Sequence, residues 1–316
     1  MLIFGGGAVG LGIASCLIKS GNSVDIIARK DTVSLLRDYG LFRTGLFGEY
    51  HAEGSMFNSY ELSSEVQDEE YDFILVCTKS YDSIAVANDL ARNINLTQIS
   101  KIVLFQNGWG NAEHFASIIP CSKIYNARVI TGFYRPRKNE VEITVHADAI
   151  HIGSLYDNKL EDIKDLCESI YRGGVPCEIT HSIEKDLWAK MLYNCALNPL
   201  GAIFGVPYGD LGESEYSRRI IGNIVDEIFK VMKGGGCQSF WESSEEYLKV
   251  FYEELLPPTA RHEASMLQDI REKKRTEIDA LNGAVVRLGS QYGIDVRNNM
   301  FVYNMIRFIE ESFSSE

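Results

Sequence analysis

Short apolar runs alternate with amphipathic segments along the first 180 residues of the chain. The runs have the length and residue types of β-strands, and they comprise Leu2–Phe4, Ser23–Ala28, Phe73–Thr78, Ile102–Phe105, Lys123–Tyr125, Val141–Val145, Ala149–Ile152 and Cys177–Thr180. Helical patterns lie between them, for example at 11–18, 83–91 and 159–171. This alternation predicts a mostly parallel sheet with helices on both faces, interrupted by antiparallel segments between Gly132 and Ile152.

After about residue 180 the strand pattern ends and helical periodicity replaces it. The predicted helices are Ile183–Leu197, Tyr216–Lys233, Ser243–Leu256, Ala260–Lys274, Glu277–Tyr292 and Val302–Ser312. Two four-residue segments, 243–246 and 276–279, fit the capping-box pattern of a helix start. The change of pattern predicts an α/β domain over residues 1–180, with a doubly wound sheet, and an all-α domain over residues 181–316.

A glycine-rich turn separates the first strand from the first helix. The segment Gly5-x-Gly7-Ala8-Val9-Gly10 matches GxGxxG, the dinucleotide-binding fingerprint, in the strand–turn–helix context that it requires. Its backbone can approach a pyrophosphate, and the helix N-terminus attracts the negative charge. A Rossmann-type cofactor domain is therefore expected, although a glycine turn without a ligand is the structural alternative.

The residue after the second strand discriminates between the two nicotinamide cofactors. NAD-binding domains typically carry an acidic residue there, which binds the ribose hydroxyls. This chain has Arg29 followed by Lys30, and a guanidinium suits the 2′-phosphate of NADP(H). We therefore expect NADP(H) as the cofactor, while Asp31 keeps NAD as an alternative.

Polar residues follow the next two strands of the predicted sheet. Lys79 comes directly after one strand, and Gln106-Asn107-Gly108 follows the other. Open α/β sheets bind ligands at the carboxyl ends of their strands. Lys79 and Asn107 are therefore candidates for cofactor contacts, whereas the alternative for each is an ordinary polar loop residue.

One helix of the second domain carries three polar residues on a single face. Lys190, Asn194 and Asn198 are four residues apart, which places them within an arc of roughly 80° on a helix. The arc borders the predicted buried stripe, and buried amides need hydrogen-bond partners. The pattern favours a site for a polar, anionic ligand, although a solvated lysine with two amides bonded to backbone remains the alternative.

Composition excludes several classes of protein. The chain has 316 residues, is 45% hydrophobic, and carries a net charge of −13, which argues against a nucleic-acid partner. Seven scattered cysteines show no metal-binding spacing, so we expect reduced thiols, no metal site and a cytoplasmic location. No segment reaches the length of a membrane span, and the oligomeric state stays open, with a homodimer as one option.

Taken together, these motifs resemble the ketopantoate reductase (2-dehydropantoate 2-reductase) family over essentially the whole chain. The resemblance rests on the glycine turn, Lys79, Gln106-Asn107-Gly108, Lys190-x₃-Asn194-x₃-Asn198-Pro199, Ser265-Met-Leu-Gln-Asp269 and Thr276-Glu277-Ile-Asp279-x-x-Asn282-Gly283. It implies a Rossmann domain joined to a helical domain. It also implies NADPH-dependent reduction of 2-dehydropantoate to pantoate, a step of pantothenate and coenzyme A biosynthesis, with a small anionic 2-oxo acid as substrate.

The resemblance also implies roles for individual residues. Lys190 matches the family's general acid, and Glu277 matches a carboxylate that binds the substrate near the reacting carbon. Asn194, Asn198 and Ser265 match substrate-binding positions. Gly5, Gly7, Ala8, Val9, Gly10, Arg29, Lys79 and Asn107 match the cofactor side. For Glu277, the structural alternative is a carboxylate favoured by a helix N-terminus.

Two substrate-side positions depart from the family pattern. Well-known members carry asparagine where this chain has Tyr208 and His262. A hydroxyl or an imidazole can replace an amide hydrogen bond but changes the size of the pocket. Two alternatives therefore stay open: a reductase of another small 2-oxo acid on the same scaffold, and a non-catalytic NADP(H)-binding sensor.

Overall fold

Twelve β-strands form two sheets in the described residues, 1–66 and 68–313, of this computed structural model. The strands are β1 (Leu2–Phe4), β2 (Asp25–Ile27), β3 (Leu41–Gly45), β4 (Tyr50–Ala52), β5 (Asn58–Tyr60), β6 (Phe73–Val76), β7 (Lys101–Leu104), β8 (Ile124–Arg128), β9 (Thr131–Tyr134), β10 (Glu140–His146), β11 (Ile150–Gly153) and β12 (Cys177–Ile179). The larger sheet has the order β12-β11-β8-β7-β6-β1-β2-β5, and β8–β11 is its antiparallel pair. The predicted, mostly parallel sheet is confirmed.

Five helices cover the larger sheet in the first part of the described chain. They are α1 (Ala8–Lys19), α2 (Lys30–Tyr39), α3 (Ser83–Asn93), α4 (Asn111–Ala116) and α5 (Lys164–Arg172). Alternate residues of one strand enter different cores, because side chains of a strand point to opposite faces. Ile3 packs with residues of α1 and α5, whereas Leu2 and Phe4 pack with α3 and α4. Helices therefore lie on both faces of the sheet, as predicted.

A smaller sheet, with the order β4-β3-β10-β9, packs against α1. Strand β10 runs antiparallel to β9 and parallel to β3. The antiparallel pairing between Gly132 and Ile152 was predicted, but α2, β3, β4 and β5 were not. These missed elements lie in a polar segment with short strands, where periodicity is weak.

Seven helices follow in the remainder of the described chain. They are α6 (Ile183–Phe204), α7 (Tyr208–Glu213), α8 (Glu215–Gly234), α9 (Ser244–Val250), α10 (Ser265–Arg271), α11 (Asn282–Tyr292) and α12 (Arg297–Ser312), with a π-helix at Phe251–Leu255 after α9. They enclose a separate apolar core that includes Trp188, Tyr247 and Phe251. The predicted cap at Ser243 is confirmed, because its Oγ accepts from the backbone N–H of Glu246 at 3.2 Å.

Several predicted helix boundaries in this region are wrong, and the last helix, for example, begins at Arg297 and not at Val302. Helix α6 was predicted to end at Leu197 but continues through Pro199 to Phe204. The segment from Ala260 to Ala264 is not α-helical, since the carbonyl oxygens of Ala260 and His262 accept from the N–H groups of Gly209 and Tyr208. These two carbonyls therefore bind another segment of the chain and do not accept the hydrogen bonds of an α-helix.

The predicted helix at Glu277 begins later than expected. Residues Ile278–Ala280 form a 3₁₀ turn, and α11 starts at Asn282. The capping box expected over 276–279 is absent from this described segment, because the Thr276 hydroxyl accepts from Ile278 instead, at 3.2 Å. Glu277 consequently precedes a short turn and not an α-helix.

The contacts divide the chain into two compact units. The first comprises Met1–Gln106 and Asn111–Ile183, and the second comprises Asn107–Gly110 together with the chain from Glu184 onward. The separate roles predicted for residues 1–180 and 181–316 stay predictions. No helix in the described chain combines the length and the hydropathy that crossing a membrane requires.

Candidate active site

The glycine turn of the first unit leaves the start of α1 open. Gly7 is the N-cap residue, no side chain caps the helix, and no acidic residue lies in its first turn. A Cβ added to Gly10 would lie 1.9 Å from the carbonyl oxygen of Gly5, so only glycine fits there. A Cβ on Gly7 would meet no atom closer than 3.9 Å. The uncapped N–H groups and the positive helix end therefore fit a pyrophosphate.

Arg29 follows β2 and is the N-cap residue of α2. Its side chain is exposed, and its guanidinium makes no hydrogen bond or ion pair within the described residues. The neighbouring carboxylate of Asp31 forms an ion pair with Lys138, and this hydrogen bond lowers the pKa of Asp31. Asp31, the acidic residue on which the NAD alternative depended, is therefore already paired with Lys138.

Two residues beside this region were not predicted from the sequence. Lys138 lies 107 residues from its partner Asp31, and Arg135 donates from Nη1 to the carbonyl of Gly6 at 2.7 Å. Both residues lie in the turn between β9 and β10. No local motif could have indicated them, because the sheet pairing brings this turn to the glycine segment.

The carboxyl ends of β6 and β7 carry the polar residues that were predicted there. Lys79 is half-buried just after β6, and the Gln106 side chain lies just after β7. Gln106 donates from Nε2 to the Lys79 carbonyl at 3.2 Å and to Thr78 Oγ1 at 3.3 Å. The two strand ends are therefore joined, while a cofactor contact by Lys79 stays a prediction.

In the second unit, three predicted site residues form one hydrogen-bonded chain. Lys190 donates from Nζ to Asn107 Oδ1 at 2.6 Å, and Asn107 donates from Nδ2 to Glu277 Oε2 at 3.2 Å. Glu277 is only 8% exposed. The Asn107 amide therefore lies between a cation and a carboxylate. Its oxygen accepts from the Lys190 ammonium, and its NH₂ group donates to the Glu277 carboxylate, so both hydrogen bonds are charge-assisted.

The segment Asn107–Gly110 is held against the turn after Glu277. Gly108 has a φ of +88°, and a Cβ there would lie 2.4 Å from the carbonyl oxygen of Ala280. The N–H of Trp109 donates to that same carbonyl at 2.8 Å. The Trp109 ring stacks on Trp188 of α6, with centroids 4.4 Å apart. These two tryptophans, which were not among the predicted site residues, hold Asn107 beside Lys190.

The other predicted substrate residues differ in their environments. Asn198 is buried, and its Oδ1 accepts a short hydrogen bond from Tyr208. The His262 ring lies 5.3 Å from the Tyr208 ring in an edge contact. Half-buried Asn194 and exposed Ser265 make no side-chain hydrogen bond within the described residues. Asn198, Tyr208 and His262 thus form one cluster, while Asn194 and Ser265 have free hydrogen-bonding groups.

Two family models cover almost the entire chain. "Ketopantoate reductase PanE/ApbA" matches residues 1–157, and its C-terminal counterpart matches residues 182–310. The 2-dehydropantoate 2-reductase of Aquifex aeolicus is 34% identical over 97% of this chain and 95% of its own length. The chain belongs to the ketopantoate reductase family. The expected membership of an oxidoreductase family is thereby confirmed.

Solved structures agree with this assignment. A PanE/ApbA family ketopantoate reductase from Ralstonia eutropha JMP134 superposes with a TM-score of 0.86, at 26% identity, covering 99% of this chain and 100% of that one. A D-mandelate dehydrogenase, solved with NADH and anilino(oxo)acetate, superposes with a TM-score of 0.87 at 24% identity, covering 99% and 100%. The second likeness shows the fold alone. The predicted fold class, a Rossmann-type sheet followed by an all-α part, is therefore confirmed.

The burial of the His262 ring is expected to make the stability of the protein depend on pH. Burial lowers its pKa below the ordinary value of 6.5, against a smaller opposite effect of Glu263. The folded protein therefore resists protonation of His262, whereas the unfolded chain takes up the proton below pH 6.5. We expect the free energy of unfolding to fall as the pH drops below 6.5, and to fall less in His262→Asn. Urea unfolding of both proteins at pH 7.5 and 5.5 measures this difference; equal losses would contradict it.

Proposed function

We propose that this ketopantoate reductase family member reduces 2-dehydropantoate to pantoate with NADPH, as a step of pantothenate and coenzyme A biosynthesis. The observation that carries the proposal is the hydrogen-bonded chain of Lys190, Asn107 and Glu277 in a member of this family. In this proposal residues 1–180 bind NADP(H), and residues 181–316 bind the substrate and supply the proton donor.

The proposed chemistry follows from where charge develops. A reduced nicotinamide cofactor, held by the glycine turn and Arg29, would supply the hydride for the carbonyl carbon of the 2-oxo acid. Negative charge then develops on the carbonyl oxygen, where the Lys190 ammonium stabilises it and donates the proton that completes the alcohol. Asn107 orients Lys190 through its Oδ1, and Glu277 binds the substrate near the reacting carbon. Lys190 regains its proton from solvent before the next turnover.

Neutral hydrogen-bond donors are proposed to bind the rest of the substrate. Within the described residues Asn194 and Ser265 have free side-chain groups, and Asn198, Tyr208 and His262 form a cluster in the same unit. A chain with a net charge of −13 needs local donors and a cation to attract an anionic acid. Lys190 supplies that cation.

For the cofactor, the proposal is NADP(H) with the 2′-phosphate bound by Arg29. Replacing Arg29 with alanine should raise the Kd of NADPH roughly 10- to 100-fold, which is the loss of a charge-assisted, bidentate contact. The Kd of NADH should change little, because NADH has no 2′-phosphate. Fluorescence titration of both cofactors measures this, and Arg137→Ala, which removes an exposed cation from the β9–β10 turn, is the control. Equal weakening of both cofactors in Arg29→Ala would count against this role.

A second candidate keeps the chemistry and changes the acid. The Tyr208 hydroxyl, which replaces an amide of the family pattern, already donates to Asn198. A substrate pocket lined by this tyrosine would differ in size from the one that the family pattern implies. The fold also occurs in a D-mandelate dehydrogenase, so architecture alone does not select the acid. The alternative is a reductase of another small 2-oxo acid.

One assay separates these candidates. The purified protein is incubated with NADPH or NADH and a panel containing 2-dehydropantoate, pyruvate, 2-oxoisovalerate and benzoylformate, and loss of nicotinamide absorbance is followed. The highest kcat/KM is expected for 2-dehydropantoate with NADPH. A higher value for another acid would select the second candidate, and no turnover with any acid would contradict a reductase. The seven cysteines, which form no disulfide in the described chain, suit the proposed cytoplasmic location, and a homodimer stays a prediction.

A further inference from the structure

A proline interrupts the hydrogen bonds of α6, the helix that carries Lys190, Asn194 and Asn198. Pro199 lies inside this helix and has no backbone N–H. In a regular α-helix that N–H would bind the carbonyl four residues earlier, which here belongs to Cys195. Cys195 is fully buried, so water cannot take the place of the missing donor. An unpaired carbonyl at this depth would be costly.

Asn282 supplies the missing donor. Its Nδ2 donates to the carbonyl oxygen of Cys195 at 3.1 Å, although the two residues are 87 positions apart in the chain. Asn282 is itself fully buried at the first position of α11. The side chain of a different helix thus takes over the hydrogen bond that Pro199 cannot make.

A buried network fixes the orientation of the Asn282 amide. Its Nδ2 also donates to Asn299 Oδ1 at 3.0 Å, and Asn299 donates from Nδ2 to Glu227 Oε2 at 2.8 Å. Glu227, which is 5% exposed, also accepts from the backbone N–H of Asn299 at 2.9 Å. Helices α8, α11 and α12 therefore hold the donor that binds α6.

The position of this hydrogen bond within α6 links it to the proposed substrate residues. Cys195 directly follows Asn194, and Pro199 directly follows Asn198. The turn that Pro199 weakens is therefore the turn that separates Asn198 from Asn194 and Lys190. We propose that Asn282 is a positioning residue, which holds this turn so that both asparagines keep their places relative to Lys190. This inference rests on the proposed function for the roles of those three residues.

A double-mutant cycle tests the proposal. Asn282→Ala removes the donor, and Pro199→Ala restores the backbone N–H, so that Cys195 regains a partner within its own helix. In the wild-type background, N282A should raise the KM of the 2-oxo acid about tenfold or more, with a smaller fall in kcat and an unchanged Kd for NADPH. In the P199A background, the same substitution should raise KM less than about threefold. Asn304 is an exposed asparagine on α12. Asn304→Ala is the matched control and should change neither the KM of the 2-oxo acid nor kcat.

Amide hydrogen exchange gives a readout that does not depend on turnover. Exchange in the peptide covering residues 190–204 should accelerate in N282A and return towards the wild-type rate in N282A/P199A. An equal rise in KM in both backgrounds, or unchanged exchange in N282A, would overturn the proposal. If N282A alone does not fold, recovery of a folded, active protein in N282A/P199A supports the proposal, and continued failure overturns it. Absence of turnover in the wild type would contradict the proposed function and leave the exchange result to decide the structural claim.

Discussion

Replacing Lys190 with alanine is expected to lower kcat about 10²- to 10⁴-fold, the range typical of general acid catalysis. In the second unit, a hydrogen bond of 2.6 Å from Lys190 Nζ to Asn107 Oδ1 holds the ammonium in place, and the proposed reaction depends on this ammonium. Loss of the ammonium removes both the proton donor and the charge that stabilises the developing oxyanion. The Kd of NADPH should change little, since the glycine turn and Arg29 belong to the first unit. Single-turnover kinetics with saturating NADPH measure the chemical step directly.

Two control variants separate this role from a structural one. Lys185→Ala removes another lysine of α6 that takes no part in the hydrogen-bonded chain, and it should retain nearly the wild-type kcat. Asn194→Ala should mainly raise the KM of the 2-oxo acid, because its free amide is assigned to substrate binding and not to chemistry. A folded Lys190→Ala protein with full activity would refute the proposed mechanism.

Replacing Gly108 with alanine is expected to produce the second large effect, a fall in kcat of about 10²-fold. The added Cβ would lie 2.4 Å from the Ala280 carbonyl oxygen, so the segment must move away from the turn after Glu277. That movement would shift Asn107, and displacements of about 1 Å at a catalytic group can cost about this much rate. The measurement is kcat together with the urea midpoint of unfolding.

Gly48 provides a matched control for the backbone strain at Gly108. Its φ of +82° is close to the +88° of Gly108, but an added Cβ would meet no atom within 4 Å. Gly48→Ala and Gly108→Ala should therefore both lose about 1–3 kcal/mol of stability to the positive φ. Only in Gly108→Ala does the new Cβ also collide with the Ala280 carbonyl oxygen. Activity should fall only in Gly108→Ala. A similar loss of activity in both variants would show that strain, and not the position of Asn107, is responsible.

The sequence patterns predicted the structural elements that depend only on residues close together in the chain. The central strands of the large sheet, such as β1 and β6, are continuous apolar runs because both of their faces are buried, and the glycine turn is recognisable because its residues are consecutive. The face formed by Lys190, Asn194 and Asn198 follows from helical spacing alone. The short strands β3, β4 and β5 were missed, since their burial depends on packing against α1 and α2, which their own residues do not reveal.

The sequence by itself therefore determined the fold class, the place of the cofactor turn and the polar face of α6. Only the tertiary structure decided what surrounds those residues. It placed Asn107 against Lys190, although 83 positions separate them, and it paired Asp31 with Lys138. It also let α6 continue through Pro199, because Asn282 of α11 satisfies the carbonyl of Cys195. The physical reason is the same in each case: a side chain's hydrogen-bond partner is chosen by packing between distant segments, which short-range periodicity does not encode.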